Sequence, residues 1–157
     1  MRVMIPLFVA VALAMAPALV TGVWDFEWTS FARTAHWQGD QVVTSDGERT
    51  GRGVARVVAT ETPTVLRLTF TSESGAGSGL IGPEGPMAFE FPTAVQVGSP
   101  PSVPHLTGGS LEPQGDPKRP NGFVVSYVEG FICRSTPAAC GGVSMWERRF
   151  EGRARRR

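Results

Sequence analysis

Apolar and polar side chains alternate along much of this chain. From Val23 to Trp37 the order VWDFEWTSFARTAHW sets Trp24, Phe26 and Trp28 against Asp25 and Glu27. A period of two is what a strand needs when one face is buried and the other is wet. Gly39-Asp40 then reads as a turn, Gln41–Thr44 as a short strand, and Asp46-Gly47 as a second turn of hairpin type. Gly53–Ala59 and Thr64–Thr71 are the next strands. In the second of these, Leu66, Leu68 and Phe70 alternate with Arg67 and Thr69. Thr62-Pro63 lies in their connection, so the two are expected to pair.

Glycine and proline punctuate the middle of the chain. Glu73–Pro86 (ESGAGSGLIGPEGP) reads as a flexible glycine-rich loop. The overlapping stretch Ser72–Gly79 has no following helix whose N-terminus would help hold a phosphate. Met87–Phe91 and Ala94–Val97 are expected as short strands on either side of Pro92. Gly98–Asn121 carries prolines at 100, 101, 104, 113, 117 and 120 and is expected as a long loop. Within it only Leu106–Leu111 has the makings of an edge strand.

The richest stretch is Gly122–Phe150. The runs Phe123–Cys133 and Val143–Phe150 are dense in aromatic and β-branched residues and flank a loop containing Thr136-Pro137. Setting Cys133 opposite Cys140 pairs Phe123 with Phe150, Tyr127 with Trp146 and Glu129 with Ser144, all on the cysteines' face, with Arg148 diagonal to Glu129. Val128, Met145, Ile132 and Val143 would share the other face. Both faces are substantially apolar, so this hairpin is expected at the centre of the fold. A bulge at Gly141-Gly142 would slip the register by one and reverse one strand's faces. The expected fold is therefore all-β and single-domain: a small barrel or sandwich of seven or eight antiparallel strands with a disulfide-stapled C-terminal hairpin.

Composition adds a destination. Met1–Gly22 has a basic residue, Arg2, and then the apolar run Val3–Val20 ending among small residues. This is the layout of a secretory signal, with cleavage after Ala18 or after Gly22. An uncleaved anchor is the alternative, since eighteen apolar residues is also the lower limit for a membrane span. Export to the periplasm or medium agrees with a Cys133–Cys140 disulfide. Charge is unevenly placed. Val23–Glu147 holds 8 basic and 13 acidic residues, a net −5, whereas Arg148–Arg157 holds six arginines and one glutamate, a net +5. The expected organisation is a signal over 1–22, an all-β domain over 23–150 and a basic, disordered tail over 151–157.

The usual catalytic signatures are missing. The sequence has neither a phosphate loop nor a Gly-x-Ser-x-Gly elbow, and Lys118 is its single lysine. His36 and His105 are the two histidines, too few for an ordinary zinc site unless Asp40 joins them. No metal, cofactor or catalytic residue is therefore expected. Trp24, Trp28 and Trp146, with Tyr127 and Glu129, are candidates to line a pocket for a small apolar or amphipathic ligand; core packing is the plainer role for the tryptophans. Glu129 with a second carboxylate is the only basis for a hydrolase. Arg153, Arg155, Arg156 and Arg157 are candidates to contact an anionic envelope surface, which would suit a structural or interaction protein. Export argues against a nucleic-acid partner.

Overall fold

The computed structural model describes residues 20–97 and 106–157. Eight strands form one antiparallel sheet: β1 (Gly22–Gln38), β2 (Gln41–Ala59), β3 (Leu66–Ser72), β4 (Gly75–Gly82), β5 (Gly85–Glu90), β6 (Leu106–Asp116), β7 (Arg119–Ile132) and β8 (Val143–Arg156). Their spatial order is β5-β4-β3-β2-β1-β8-β7-β6. Each strand follows its chain neighbour, and β8 returns to pair with β1, so the meander curls into a nearly closed barrel. The two edges, β5 and β6, meet at Gly85 and Gly109, where a Cβ on Gly85 would fall 2.7 Å from the Gly109 carbonyl oxygen.

Alternation decides which side chains fill the barrel. Trp24, Phe26 and Trp28 of β1, Ala55 and Val57 of β2, Leu68 and Phe70 of β3, and Phe123, Val125 and Tyr127 of β7 are all buried, together with Phe89 and Phe150. Eight strands enclose a space that side chains alone can fill. Phe150 sits at the hub, with ring centroids 4.9 Å from Phe89, 5.1 Å from Phe91 and 5.3 Å from Phe70. So many rings fit because glycines face them. Gly79 pairs across the ladder with Phe89, and Gly77 with Phe70. A Cβ on Gly79 would lie 2.0 Å from Phe89 Cδ2.

The outer wall is a water-facing surface. Between the buried residues, Asp25 and Glu27 of β1, Arg52 and Arg56 of β2, Arg67 of β3, and Glu151, Arg153 and Arg155 of β8 point outward and are exposed. A barrel that spans a bilayer shows the opposite alternation, apolar outward.

Several expected boundaries move. The glycine-rich segment is not a loop, because β4 occupies most of it and pairs with β3 and β5. Asp46-Gly47 is not a turn; β2 runs straight through, its Asp46 opposite Arg33 and its Gly47 opposite Ala32. Ala94–Val97 is irregular rather than a strand. Of the proline-rich loop, residues 98–105 lie outside the described residues, and most of the rest is β6 and the start of β7, joined by a turn at Pro117-Lys118. The basic segment expected as a disordered tail is instead the end of β8. Gly152 and Ala154 face inward there and are buried, and the ladder continues to the Trp24–Arg156 pair.

The central hairpin keeps its expected faces but not its register. Tyr127 pairs with Phe150, Glu129 with Arg148 and Phe131 with Trp146, a slip of four residues from the alignment of the cysteines. The cause lies in the loop. Cys140 is not a strand residue but ends a 3-10 turn, Ala138–Cys140. The residue bonded across from Cys133 is Ser144, whose carbonyl accepts the Cys133 N–H at 2.8 Å. The disulfide forms as expected, with 6.0 Å between Cα atoms, but it ties β7 to the loop rather than to β8. An even slip preserves the parity of each strand, so the inward face stays inward. Val143, expected on the opposite face, is buried with Phe131, Cys140 and Trp146.

Candidate functional site

The end of the barrel that bears the Gly39-Asp40 turn is here called the upper end. There β1 with β2, and β7 with β8, continue past the aromatic hub and form a wall. Along this wall the inward positions of β8 are Phe150, Arg148 and Trp146. Their partners are Tyr127, Glu129 and Phe131 on β7 and Ser30, Ala32 and Thr34 on β1. The segment after β5 crosses in front of this wall. Phe91 stacks near Tyr127 and Phe150, the Pro92 carbonyl accepts a hydrogen bond from Ser30 Oγ at 2.6 Å, and Val97 packs on the Phe131–Trp146 cluster.

A charged group is set into this wall. Glu129, a candidate from the sequence, is 8 % exposed. Its Oε2 accepts from the Tyr127 hydroxyl at 2.8 Å, and its Oε1 accepts from Arg148 Nε. Arg148 also donates to the Phe89 carbonyl at 3.2 Å and to Glu90, whose side chain is 81 % exposed. The guanidinium lies over the Phe91 ring, 4.9 Å from its centroid. Burial, then the hydrogen bond to Glu129, raises the Tyr127 hydroxyl well above the ordinary tyrosine value. Burial pulls the Arg148 guanidinium down, but the hydrogen bond and charge of Glu129, helped by Glu90, outweigh it and leave Arg148 raised. Chemically this is an anchored cation with one edge spent on Glu129 and the other turned toward an exposed carboxylate.

The five candidate ligand residues divide into two groups. Trp24 and Trp28 lie deeper in the barrel, and both indoles are satisfied: Trp24 Nε1 donates to the Val20 carbonyl at 2.9 Å and Trp28 Nε1 to Ser72 Oγ at 3.2 Å. Tyr127, Glu129 and Trp146 share the upper wall. Trp146 differs from the deeper pair, since it is 3 % exposed and yet its Nε1 has no hydrogen-bond partner among the described residues. Native proteins rarely leave a buried donor unpaired, because doing so costs about 1–3 kcal/mol. Arg148 was legible only as a diagonal neighbour of Glu129. Phe91 and Thr34 were not singled out, and nothing in local sequence marks them as facing this wall.

The other candidates fall elsewhere. Arg153 pairs with Glu151 and Arg157 with Asp25. Arg156 donates to the Pro120 carbonyl and covers Trp24, while Arg155 stands on the outer wall opposite Asp25. His36 meets Thr34 Oγ1 at 3.0 Å; His105 lies outside the described residues. Among the described residues no group of three or more His, Cys, Asp or Glu is placed to hold a metal. A recess on the outer wall is bordered by Glu27, Arg52, Glu151 and Arg153, which pair among themselves.

No protein-family model matches this chain, and no curated protein or solved structure matches it significantly. The disulfide is consistent with an extracellular or periplasmic location. Among the described residues no helix is long and apolar enough to cross a membrane.

Proposed function

We propose that this chain is an exported, non-enzymatic binding protein that takes a small amphipathic ligand at the upper end of its barrel. The observation that carries this reading is the buried Trp146 Nε1, which has no hydrogen-bond partner among the described residues. It stands two residues from Arg148 on the same face of β8, among Phe131, Trp37, Val97 and Val143. A ligand with an acceptor for that N–H, an acidic head that takes the place of the exposed Glu90 carboxylate on Arg148, and an apolar body for the surrounding rings would complete the wall. A few polar groups converging among apolar side chains are the usual makings of a small-molecule site. The cover of this wall is irregular chain rather than a paired strand, so it can shift without breaking a ladder. Catalysis by Glu129 is disfavoured because both its oxygens are engaged by Tyr127 and Arg148. Export rests on the signal-like sequence of residues 1–22 together with the disulfide.

Dodecanoate is a suitable probe, and an anionic naphthalene sulfonate dye a suitable reporter. The dye should brighten on binding, dodecanoate should displace it, and Trp146→Phe, which keeps the ring but removes the N–H, should weaken binding about tenfold, the equivalent of one hydrogen bond. Trp28→Phe should leave binding unchanged. Absence of binding, or equal loss in both variants, would sink the reading.

A further inference from the structure

The lower end of the barrel carries information about how the chain is processed. Val20 is completely buried and belongs to the same core cluster as Trp24, Phe123 and Ala154. Its carbonyl accepts the Trp24 Nε1–H at 2.9 Å in a buried hydrogen bond. The chain then turns into β1 through Gly22, whose φ of 134° is a conformation only glycine adopts readily. Trp24 in turn meets Phe123 edge-on with centroids 5.4 Å apart, and the Arg156 guanidinium lies over its ring. Val20 therefore closes the floor of the barrel and is part of the folded domain.

At the end of the apolar run, two peptide bonds satisfy the small-residue rule for removal of a secretory signal. Ala18–Leu19 has Ala16 and Ala18 at the −3 and −1 positions; Gly22–Val23 has Val20 and Gly22. From the sequence they are equivalent, but in the fold they are not. Cutting at Gly22–Val23 would remove Val20, open the floor to water and strip the buried Trp24 indole of its acceptor. Cutting at Ala18–Leu19 leaves all of this in place.

We infer that the processing site is the Ala18–Leu19 bond, so that the mature protein begins at Leu19 with Val20 as a structural plug. The reaction is amide hydrolysis: water adds across the bond, leaving a carboxylate on Ala18 and an ammonium on Leu19. The inference rests on the exported reading above and is independent of any ligand.

The test is intact-mass and N-terminal analysis of the full chain, expressed with its own leader and recovered from the exported fraction. The expected mass is that of Leu19–Arg157 with one disulfide. A chain beginning at Val23 would overturn the junction but leave export standing. An unprocessed chain retained inside the cell would overturn both. As a second measurement, Leu19–Arg157 and Val23–Arg157 can be made directly and oxidised. The shorter chain should melt about 4 °C or more below the longer one. Equal midpoints would show that Val20 is no plug and would overturn the inference.

Discussion

Replacing Arg148 by methionine tests the wall from which the site is built. Methionine keeps an unbranched side chain at this position and removes the guanidinium that lies over Phe91. Glu129 would then be a carboxylate at 8 % exposure holding a single hydrogen bond, from Tyr127. Breaking a buried pair by removing one partner costs about 3–5 kcal/mol, because the remaining charge is uncompensated. The Arg148 side chain is 17 % exposed and that of Glu129 10 %, so some water reaches the pair and the lower figure, about 3 kcal/mol, is expected. Glu129→Leu should cost less, about 2 kcal/mol, because Arg148 keeps the Phe89 carbonyl and the exposed Glu90. The double variant should lose no more than Arg148→Met alone, since neither charge is then stranded. Urea unfolding followed by tryptophan emission and far-ultraviolet dichroism would give the three values. Additive losses, or a change of less than about 0.5 kcal/mol for Arg148→Met, would refute the view that the two charges form one buried unit.

Three further outcomes follow from the same structure. Gly79→Val places a branched side chain where Phe89 now lies and should cost about 1–3 kcal/mol; Phe89→Ala in that background should recover part of the loss, as read by thermal unfolding. Tyr127 holds its proton more tightly folded than unfolded. Its contribution to stability is therefore complete below the unfolded value of about 10 and declines as pH rises above it. Tyr127→Phe should reduce that alkaline decline in urea midpoints measured between neutral and alkaline pH. Deleting residues 152–157 should abolish the cooperative unfolding transition, because it removes buried Ala154 and the ladder between β8 and β1; an intact transition with only weaker binding to anionic vesicles would restore the idea of a free basic tail.

Much of the barrel is legible in the chain because alternation is a local signal. β1 can be read directly from Trp24, Asp25, Phe26, Glu27 and Trp28, and so can the inward face of the β7–β8 hairpin. Failures occur where local composition and tertiary placement disagree. Glycines at 77 and 79 look like a flexible loop, yet they are small because Phe70 and Phe89 lie across them, which only strand pairing reveals. The arginines at 153 and 155 suggested a solvated tail, although Gly152 and Ala154 between them keep the period of two that leads inward. The register of the hairpin was lost to one feature, a 3-10 turn that takes Cys140 out of the strand. The upper wall was half visible. Tyr127, Glu129 and Trp146 stand out by type, but the direct pairing of Glu129 with Arg148 depends on that register, and the burial of the Trp146 indole depends on packing.

The most direct test of the binding claim is native mass spectrometry of the oxidised mature protein after incubation with equal amounts of dodecanoate, dodecyl phosphate and dodecanol. The account predicts one retained anionic amphiphile per chain, released on denaturation and largely lost in Trp146→Phe. A bare chain, or an adduct held equally by the wild type and by Trp146→Phe, would contradict it.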